Sequence, residues 1–265
     1  MSLNADFRLD DKYRHYFQRR IPNYIINEID PVTRGLPNDQ YKEGGLTVFD
    51  VGANQGLWAA ALLVHSGPYI GEVHMFEPMP GNLKWIDQHL NDGIYSPYQS
   101  LIKVNDIAIG REPGNITMHY DDLSTPYASA AVETTFMGDR NIELSNILEV
   151  PVDTIDSYCE RNGISKIDIL KIDVEGLELD VLKGAESLLR KRLIHSIIYE
   201  FGTHQMGRKE YFKDFWDFLT SVGYTSHKVM TLGRAPQTIK KYSATFENFG
   251  GVGIFMATSQ PSVAA

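Results

Sequence analysis

The spacing of hydrophobic positions changes near residue 44. Between residues 10 and 29, aromatic residues and isoleucines recur at the spacing of a helix, and a stretch rich in turn-forming residues follows at 30–39. This pattern predicts a helical N-terminal extension over residues 1–43 that packs on a main domain over 44–258. Residues 259–265 are small and polar, which predicts a disordered tail.

From Leu46 onward, short apolar runs alternate with stretches of helical periodicity. The runs predict strands at 46–51, 72–77, 103–105, 115–120, 167–172, 196–201, 225–231 and 251–257, and the periodic stretches predict helices at 57–65, 83–90, 179–189 and 212–219. Such alternation is typical of βαβ units around a mostly parallel sheet, so the fold class is α/β. Because the last helix is followed by two strands, we expect an antiparallel pair near one edge.

One stretch, residues 121–147, shows no clear periodicity and is rich in Ser, Thr, Pro and Gly. Loops of this length in compact domains are uncommon and are usually functional. The sequence therefore predicts a lid or substrate loop beside the functional site.

Composition and charge exclude several classes of protein. The chain has 265 residues, of which 43% are hydrophobic and 22% charged, so it can bury a substantial core. A formal net charge of -9 disfavours sequence-independent binding to nucleic acid. A single cysteine, Cys159, excludes an internal disulfide, and no apolar run suits a signal peptide or a membrane span. We therefore expect a cytoplasmic protein that binds neither nucleic acid nor membrane.

A glycine turn directly after the first buried strand is the main candidate for a cofactor site. Asp50 ends the strand, Gly52 and Gly56 flank the turn, and Glu77 ends the second strand. Ligands of open α/β sheets bind beyond the carboxyl ends of the strands, and a carboxylate there can accept hydrogen bonds from both hydroxyls of a ribose. Asp50 would repel a pyrophosphate but attract a sulfonium, and the glycine spacing departs from the dinucleotide fingerprint. Both observations favour S-adenosylmethionine.

Six segments resemble the FkbM-type methyltransferases. They run in order from about residue 46 to 204, and the Lys-Ile-Asp-Val-Glu-Gly segment is the most specific. The segments are 48–56, 76–78, 105–110, 152–156, 170–176 and 199–201. The resemblance implies a class I methyltransferase fold, Rossmann-like, with seven strands in the order 3-2-1-4-5-7-6 and one of them antiparallel. It also implies O-methylation of a hydroxyl on a sugar or secondary metabolite.

The resemblance assigns the cofactor contacts residue by residue. The residues of the turn would surround the methionine part of the cofactor, and Glu77 would hold the ribose. Asp106 would reach the exocyclic amine of the adenine, and Ile107 would cover one of its faces. The turn residues are Asp50, Gly52, Ala53, Asn54 and Gly56.

Four further residues form the candidate catalytic edge. Asp173 ends the fourth strand and Glu175 follows it, while Glu200 ends the fifth strand and His204 lies four residues later. One hypothesis makes His204, or a carboxylate with a raised pKa, the general base that takes the proton of the attacking hydroxyl. The other places a divalent metal such as Mg²⁺ on Asp173, Glu200 and His204 as a Lewis acid. We favour catalysis without an obligatory metal, so no metal ligands are assigned.

Two other functions compete with methyl transfer. A NAD(P)-dependent oxidoreductase would need a second glycine two residues after the first, where the chain has Asn54. A non-catalytic module would bind the cofactor without a base at the strand ends. The expected partner is a small-molecule or glycan acceptor, and the apolar N-terminal helices offer a surface for a homodimer.

Overall fold

The computed structural model describes residues 45–120, 128–129, 134–137, 140–230, 236–247 and 252–259. The predicted N-terminal helices over 1–43 lie outside the described residues and stay a prediction, as does nearly all of the predicted tail. In the part of the chain that is described, no helix combines the length and apolar character needed to cross a lipid bilayer.

The described residues alternate between strands and helices, as the sequence predicts. In chain order the strands are β1 (Leu46–Val51), β2 (Ile70–Phe76), β3 (Ile102–Asn105), β4 (Ala108–Ile109), β5 (Gly114–Tyr120), β6 (Ala128–Ser129), β7 (Thr134–Met137), β8 (Arg140–Glu143), β9 (Asn146–Asp153), β10 (Ile167–Ile172), β11 (Ile194–Gly202), β12 (Ser226–Met230), β13 (Gln237–Ile239) and β14 (Val252–Thr258). The helices are α1 (Leu57–Ser66), α2 (Pro80–Asn91), α3 (Ile155–Asn162), α4 (Glu178–Lys183), α5 (Glu186–Arg190) and α6 (Phe212–Ser221).

The main sheet confirms the predicted class I methyltransferase-like α/β fold. Within the described residues its order is β13-β12-β14-β11-β10-β1-β2-β3. Numbering the seven strands without β13 along the chain gives the predicted order 3-2-1-4-5-7-6. β14 is antiparallel to both of its neighbours, β11 and β12. The sheet also has an eighth strand, β13, which pairs with β12 in a hairpin at the edge and was not predicted.

Alternating side chains of the central strands pack on both faces of this sheet. In β1, Val48 belongs to one buried cluster and Phe49 to another, because successive side chains of a strand point to opposite faces. All six residues of β10 are buried. Near-continuous apolar runs are what parallel strands covered by helices require. The sheet is therefore a rigid support whose carboxyl ends position the loops described below.

Residues 121–147 are only partly a loop, so the prediction of a structureless segment is wrong for the described part. β6, β7, β8 and the start of β9 fall inside this range. β7 pairs with β8 as an antiparallel hairpin, and β9 joins β4, β5 and β6 in a second sheet. Antiparallel partners close in sequence need only short turns, and the strands here are as short as two residues. Such strands leave too little periodicity to detect.

The predicted helix over 179–189 is two helices, α4 and α5, divided at Gly184 and Ala185. Gly184 packs directly on the backbone of the second sheet, because a Cβ atom built there would lie 2.0 Å from the carbonyl oxygen of Gly110. Helical periodicity of the apolar residues continues across the break, which is why the sequence predicts one helix.

Candidate functional site

A cavity of about 260 Å³ opens at the carboxyl ends of β1, β2 and β10. Its volume is close to the lower bound of the roughly 300–1,000 Å³ found for small-molecule sites. One part of its wall comes from the glycine turn and the start of α2, a second from the second sheet, and a third from the loop after β10. The residues that line the cavity include Gly52, Asn54, Glu77, Arg111, Asp173 and Glu175.

The glycine turn packs against the end of β10. Gly52 has φ 72°, and a Cβ atom built there would lie only 1.8 Å from the carbonyl oxygen of Asp173. Asn54 also has a left-handed backbone, with φ 52°. Both Gly52 and Ala53 donate their backbone N–H groups to the carbonyl oxygen of Phe76 at 3.0 Å. The turn is therefore fixed by strands on both sides, and no side chain at position 52 fills the cavity.

Glu77 is the buried carboxylate of the cavity wall. Its Oε2 accepts from the backbone N–H of Asn54 at 2.8 Å, and its Oε1 accepts from Met79 N at 2.8 Å and from Asn82 Nδ2 at 3.3 Å. A carboxylate has about four acceptor positions, so Oε2 keeps the capacity for one further hydrogen bond. Burial raises the pKa of Glu77 to about 7, although its hydrogen bonds oppose that shift. Ionised Glu77 can therefore accept a hydrogen bond from a hydroxyl group of a ligand in the cavity.

Asp50 lies beneath the cavity and does not line it. Its side chain is fully buried, and Oδ1 forms an ion pair of 3.0 Å with Lys171 Nζ. Lys171 also donates to the carbonyl oxygen of Gly52 at 2.6 Å and lies 3.8 Å from Asp173 Oδ2. Burial raises the pKa of Asp50, and the Lys171 ammonium opposes this shift. Asp50 therefore joins the glycine turn to β10 through Lys171, a residue whose role the sequence analysis missed.

The other predicted cofactor residues lie around the cavity rather than on its surface. Ala53 is buried under the turn, and the carbonyl oxygen of Gly56 accepts from the hydroxyl of Tyr95 at 2.9 Å. Asp106 is exposed and Ile107 is half-buried. These four residues are absent from the described cavity lining, whereas Ala108, Ile109 and Gly110, which follow directly, belong to it.

The structure brings Glu175 and His204 together. His204 Nδ1 lies 3.1 Å from Glu175 Oε2, and the imidazole is largely buried. Glu175 has φ 55°, a left-handed backbone that is unusual for a residue with a side chain. Asp173 and Glu175 line the cavity, and in the described structure His204 contacts Glu175 without belonging to the lining. The cavity wall therefore includes a glutamate that is in contact with an imidazole.

Electrostatics at this edge favour protonated carboxyl groups and a neutral imidazole. Burial, followed by the charges of Asp173 and Glu178, raises the pKa of Glu175 to about 8. Burial and the same neighbours raise the pKa of Glu200 well above its usual range. Burial lowers the pKa of His204. Ile172 of β10 pairs with Tyr199 of β11, so Glu200 lies beside the end of β10. The prediction that Glu200 ends its strand is wrong, because β11 pairs with β14 as far as Gly202, and Glu200 is absent from the described cavity lining.

Glu178 is a further carboxylate of this edge that the sequence analysis missed. It is fully buried and accepts from the backbone N–H groups of Val174 and Gly176, at 2.9 Å and 3.1 Å. Burial raises its pKa to about 7. Its position in the first turn of a helix gave no distinct signal, because acidic residues there commonly interact with the helix dipole.

The second sheet supplies the remaining wall of the cavity. It includes Ala128 of β6, which belongs to the stretch 121–147 that the sequence predicts to lie beside the site. Ile116 and Met118 of β5 and Val152 of β9 contribute apolar surface, and Arg111 and Glu112 contribute charged groups. Among the described residues, no group of three or more His, Cys, Asp or Glu side chains has an arrangement that could hold a metal ion.

Comparisons with known proteins identify relatives of this chain. A family model described as "Methyltransferase FkbM domain" matches residues 50–226. The curated protein AMB antimetabolite synthetase AmbE from Pseudomonas aeruginosa is 27% identical over 201 residues, which are 63% of this chain and 9% of that protein. The crystal structure of a methyltransferase FkbM from Methylobacillus flagellatus KT matches with a TM-score of 0.52 and 14% identity, covering 93% of this chain and 58% of that one. The chain therefore spans a small part of the curated relative and little more than half of the solved one.

Proposed function

The chain belongs to the FkbM methyltransferase family, and from this premise we propose that it transfers a methyl group from S-adenosylmethionine to a hydroxyl of a sugar or secondary metabolite. One observation carries the proposal. The cavity at the carboxyl edge of the sheet has the Glu77 carboxylate on one wall and the Glu175 carboxyl group, in contact with His204, on another. The first group suits a ribose, and the second suits removal of a proton.

The cavity fits the chemistry of S-adenosylmethionine. Oε2 of Glu77 has acceptor capacity left for a ribose hydroxyl, and the turn beside it carries no Cβ at Gly52. The described wall has carboxyl groups and a single basic side chain, Arg111. That balance suits a ligand whose charges are a sulfonium and an ammonium better than it suits a pyrophosphate.

Gly52, Asn54 and Glu77 would hold the cofactor, since they line the cavity beside the glycine turn. When bound, S-adenosylmethionine supplies an electrophilic methyl group attached to a positively charged sulfur. The chain contributes alignment of the acceptor and removal of its proton. Alignment of reacting groups by itself lowers a barrier substantially.

Glu175 is the group that receives the proton of the acceptor hydroxyl. It lines the cavity, whereas His204 contacts its Oε2 and is absent from the described lining. A pKa of about 8 makes the ionised carboxylate more basic than an ordinary glutamate, close to the range in which general bases work best. The neutral His204 imidazole holds the Glu175 carboxyl group in position. After the transfer, it can form a hydrogen bond with the proton that Glu175 has received.

The proposal is tested by methyl transfer to a panel of acceptors. The purified chain is incubated with S-adenosylmethionine and sugars, polyols or phenols, and release of S-adenosylhomocysteine is measured with and without Mg²⁺ and with a chelator. Each active acceptor is compared with its deoxy analogue, and mass spectrometry of the product locates the new methyl group. A methyl ether formed on the hydroxyl acceptor alone supports the proposal. Methylation at nitrogen or carbon would contradict it.

Glu175→Gln is the matched variant in this assay. It keeps the size and hydrogen-bonding capacity of the side chain but cannot take a proton. We expect turnover to fall by a factor of roughly 10²–10⁴, the usual contribution of a general base. Unchanged turnover would assign proton removal to another group of the edge, such as Asp173.

A further inference from the structure

Glu178 is a fully buried carboxylate whose partners belong to two different loops. Oε1 accepts from Val174 N at 2.9 Å, and Gly176 N lies 3.2 Å from Oε1 and 3.1 Å from Oε2. These two amides flank Glu175 on either side. The carboxylate therefore closes the turn that gives Glu175 its left-handed backbone.

The second loop is reached through Gln205. Gln205 Nε2 donates to Glu178 Oε2 at 2.5 Å, and Gln205 Oε1 accepts from the backbone N–H of Gly202 at 2.7 Å. Gln205 is buried and is the direct neighbour of His204. The chain of hydrogen bonds thus runs from the turn after β10, through two side chains, to the end of β11.

We propose that Glu178 and Gln205 are positioning residues that hold Glu175 and His204 in contact across the two loops. The inference rests on the proposed function, because it assigns these two residues to the proton-removing pair. Neither residue touches the reacting atoms. Their role is to fix the two backbone segments so that Glu175 Oε2 and His204 Nδ1 lie 3.1 Å apart.

The order of donors and acceptors makes this arrangement specific. The carboxylate at position 178 accepts from three donors, and the amide at position 205 donates to it through Nε2 while accepting from Gly202 through Oε1. Glu178→Gln places two amide NH₂ groups against each other, or costs the Gly202 bond if Gln205 turns over. Gln205→Glu places two carboxyl groups against each other. The double variant restores one carboxylate and one amide, with the donor and acceptor exchanged between positions 178 and 205. Gly176 N then keeps its contact at 3.2 Å with the remaining oxygen of residue 178 and loses the one at 3.1 Å.

The test uses the full chain, with Glu178→Gln, Gln205→Glu and the double variant beside the wild type. Glu186→Gln is the matched control, because Glu186 is a partly exposed glutamate of the next helix that pairs with Arg190. Amide hydrogen exchange of Val174 and Gly176 reports the turn. The NMR titration of ¹³C-labelled histidine, with the His204 signal assigned by His204→Asn, reports the contact between the loops.

We expect exchange of the two amides to be at least about tenfold faster in each single variant. Glu178→Gln replaces the charged acceptor, and Gln205→Glu sets a second carboxyl group against Glu178 and displaces it from the two amides. The pKa of His204, lowered by burial in the wild type, should move toward its ordinary value as the loop opens. The double variant should recover slow exchange and the wild-type titration, and Glu186→Gln should match the wild type throughout.

Two results would overturn the inference. One is wild-type exchange and titration in both single variants. The other is fast exchange with an unchanged His204 titration, which would make Glu178 a local cap without influence on the pair. If a single variant does not fold, the double variant decides. Recovery of cooperative unfolding and of the wild-type His204 titration in the double variant supports the inference, and failure to recover them contradicts it.

None of these measurements requires an acceptor. Failure of the proposed function would therefore be seen separately, as absence of methyl transfer by the wild type.

Discussion

Replacing Lys171 by methionine tests the link between the glycine turn and the carboxyl edge. Asp50 has no exposed surface, and its charge is balanced by Lys171 Nζ at 3.0 Å. Methionine keeps most of the volume of lysine but carries no charge. The variant therefore leaves Asp50 buried without its counter-ion and also removes the hydrogen bond to the carbonyl oxygen of Gly52.

The expected loss of stability is large. Removing one partner of a buried ion pair costs about 3–5 kcal/mol, whereas exposed pairs contribute about 0–1 kcal/mol. For a chain of this size, each kcal/mol lowers the melting temperature by roughly 2–4 °C, so Lys171→Met should melt about 6–20 °C below the wild type. The exposed pair of Lys103 with Glu72, at 2.8 Å, provides the same substitution as a control, and Lys103→Met should change the free energy of unfolding by less than about 1 kcal/mol.

Urea denaturation of the four chains of a double-mutant cycle measures the interaction. We expect Asp50→Asn to recover part of the stability lost in Lys171→Met, because it removes the uncompensated charge, with a coupling energy of about 0.5–3 kcal/mol. A loss in Lys171→Met no larger than in Lys103→Met would refute the reasoning. It would mean that Asp50 is protonated, or is compensated by groups other than Lys171.

Three further predictions follow from the same edge of the sheet. Affinity for S-adenosylhomocysteine, measured by calorimetry, should rise by up to about tenfold per pH unit toward pH 7 and then level off, because the pKa of Glu77 is about 7 and its ionised form binds the ribose. Glu77→Gln should bind S-adenosylhomocysteine weakly at all pH values. If the affinity of this variant rose with pH as steeply as that of the wild type, the assignment of Glu77 would be contradicted. The folded chain holds a proton on Glu178 more tightly than the unfolded chain does, since burial raises its pKa from 4.5 to about 7. The contribution of this group to stability is therefore complete below pH 4.5 and is lost as the pH rises through 7, where Glu178 becomes a carboxylate. Between about pH 5 and 8, urea denaturation should therefore show that the wild type loses on the order of 2–3 kcal/mol of unfolding free energy relative to Glu178→Gln. A difference between the two chains that does not change with pH would be inconsistent with the raised pKa. Gly52→Ala should lower stability by more than about 1 kcal/mol and weaken cofactor binding, because the added Cβ would meet the carbonyl oxygen of Asp173; wild-type values in both measurements would show that the turn can relax.

The main sheet could be predicted from the sequence because its strands carry long, strongly apolar runs. β1 and β10 have the predicted bounds, and the helices on either side begin within a few residues of their expected positions. The strand order came from the resemblance to a family rather than from periodicity. The second sheet could not be predicted in the same way, because β4 and β6 have two residues each, too few to show a periodicity. β4 also pairs with β9, which is distant in sequence.

At the site, the sequence predicted which residues lie at the strand ends but not how they pair. Glu77, Asp173 and Glu175 line the cavity as their positions after parallel strands indicate. Asp50 was expected to face the cofactor, and the structure places it under the turn against Lys171. Such a pairing depends on the register between β1 and β10, in which Asp50 is opposite Lys171. A single sequence does not contain that information without the fold.

The central claim, that this cavity binds S-adenosylmethionine through Glu77, is tested most directly by isothermal titration calorimetry at pH 8. The wild type and Glu77→Gln are titrated with S-adenosylhomocysteine and, separately, with NAD⁺. We predict micromolar binding of S-adenosylhomocysteine to the wild type, binding at least about tenfold weaker to Glu77→Gln as hydrogen bonds to a carboxylate are lost, and no binding of NAD⁺. Equal affinity of the two chains, or binding of NAD⁺ instead, would contradict the account.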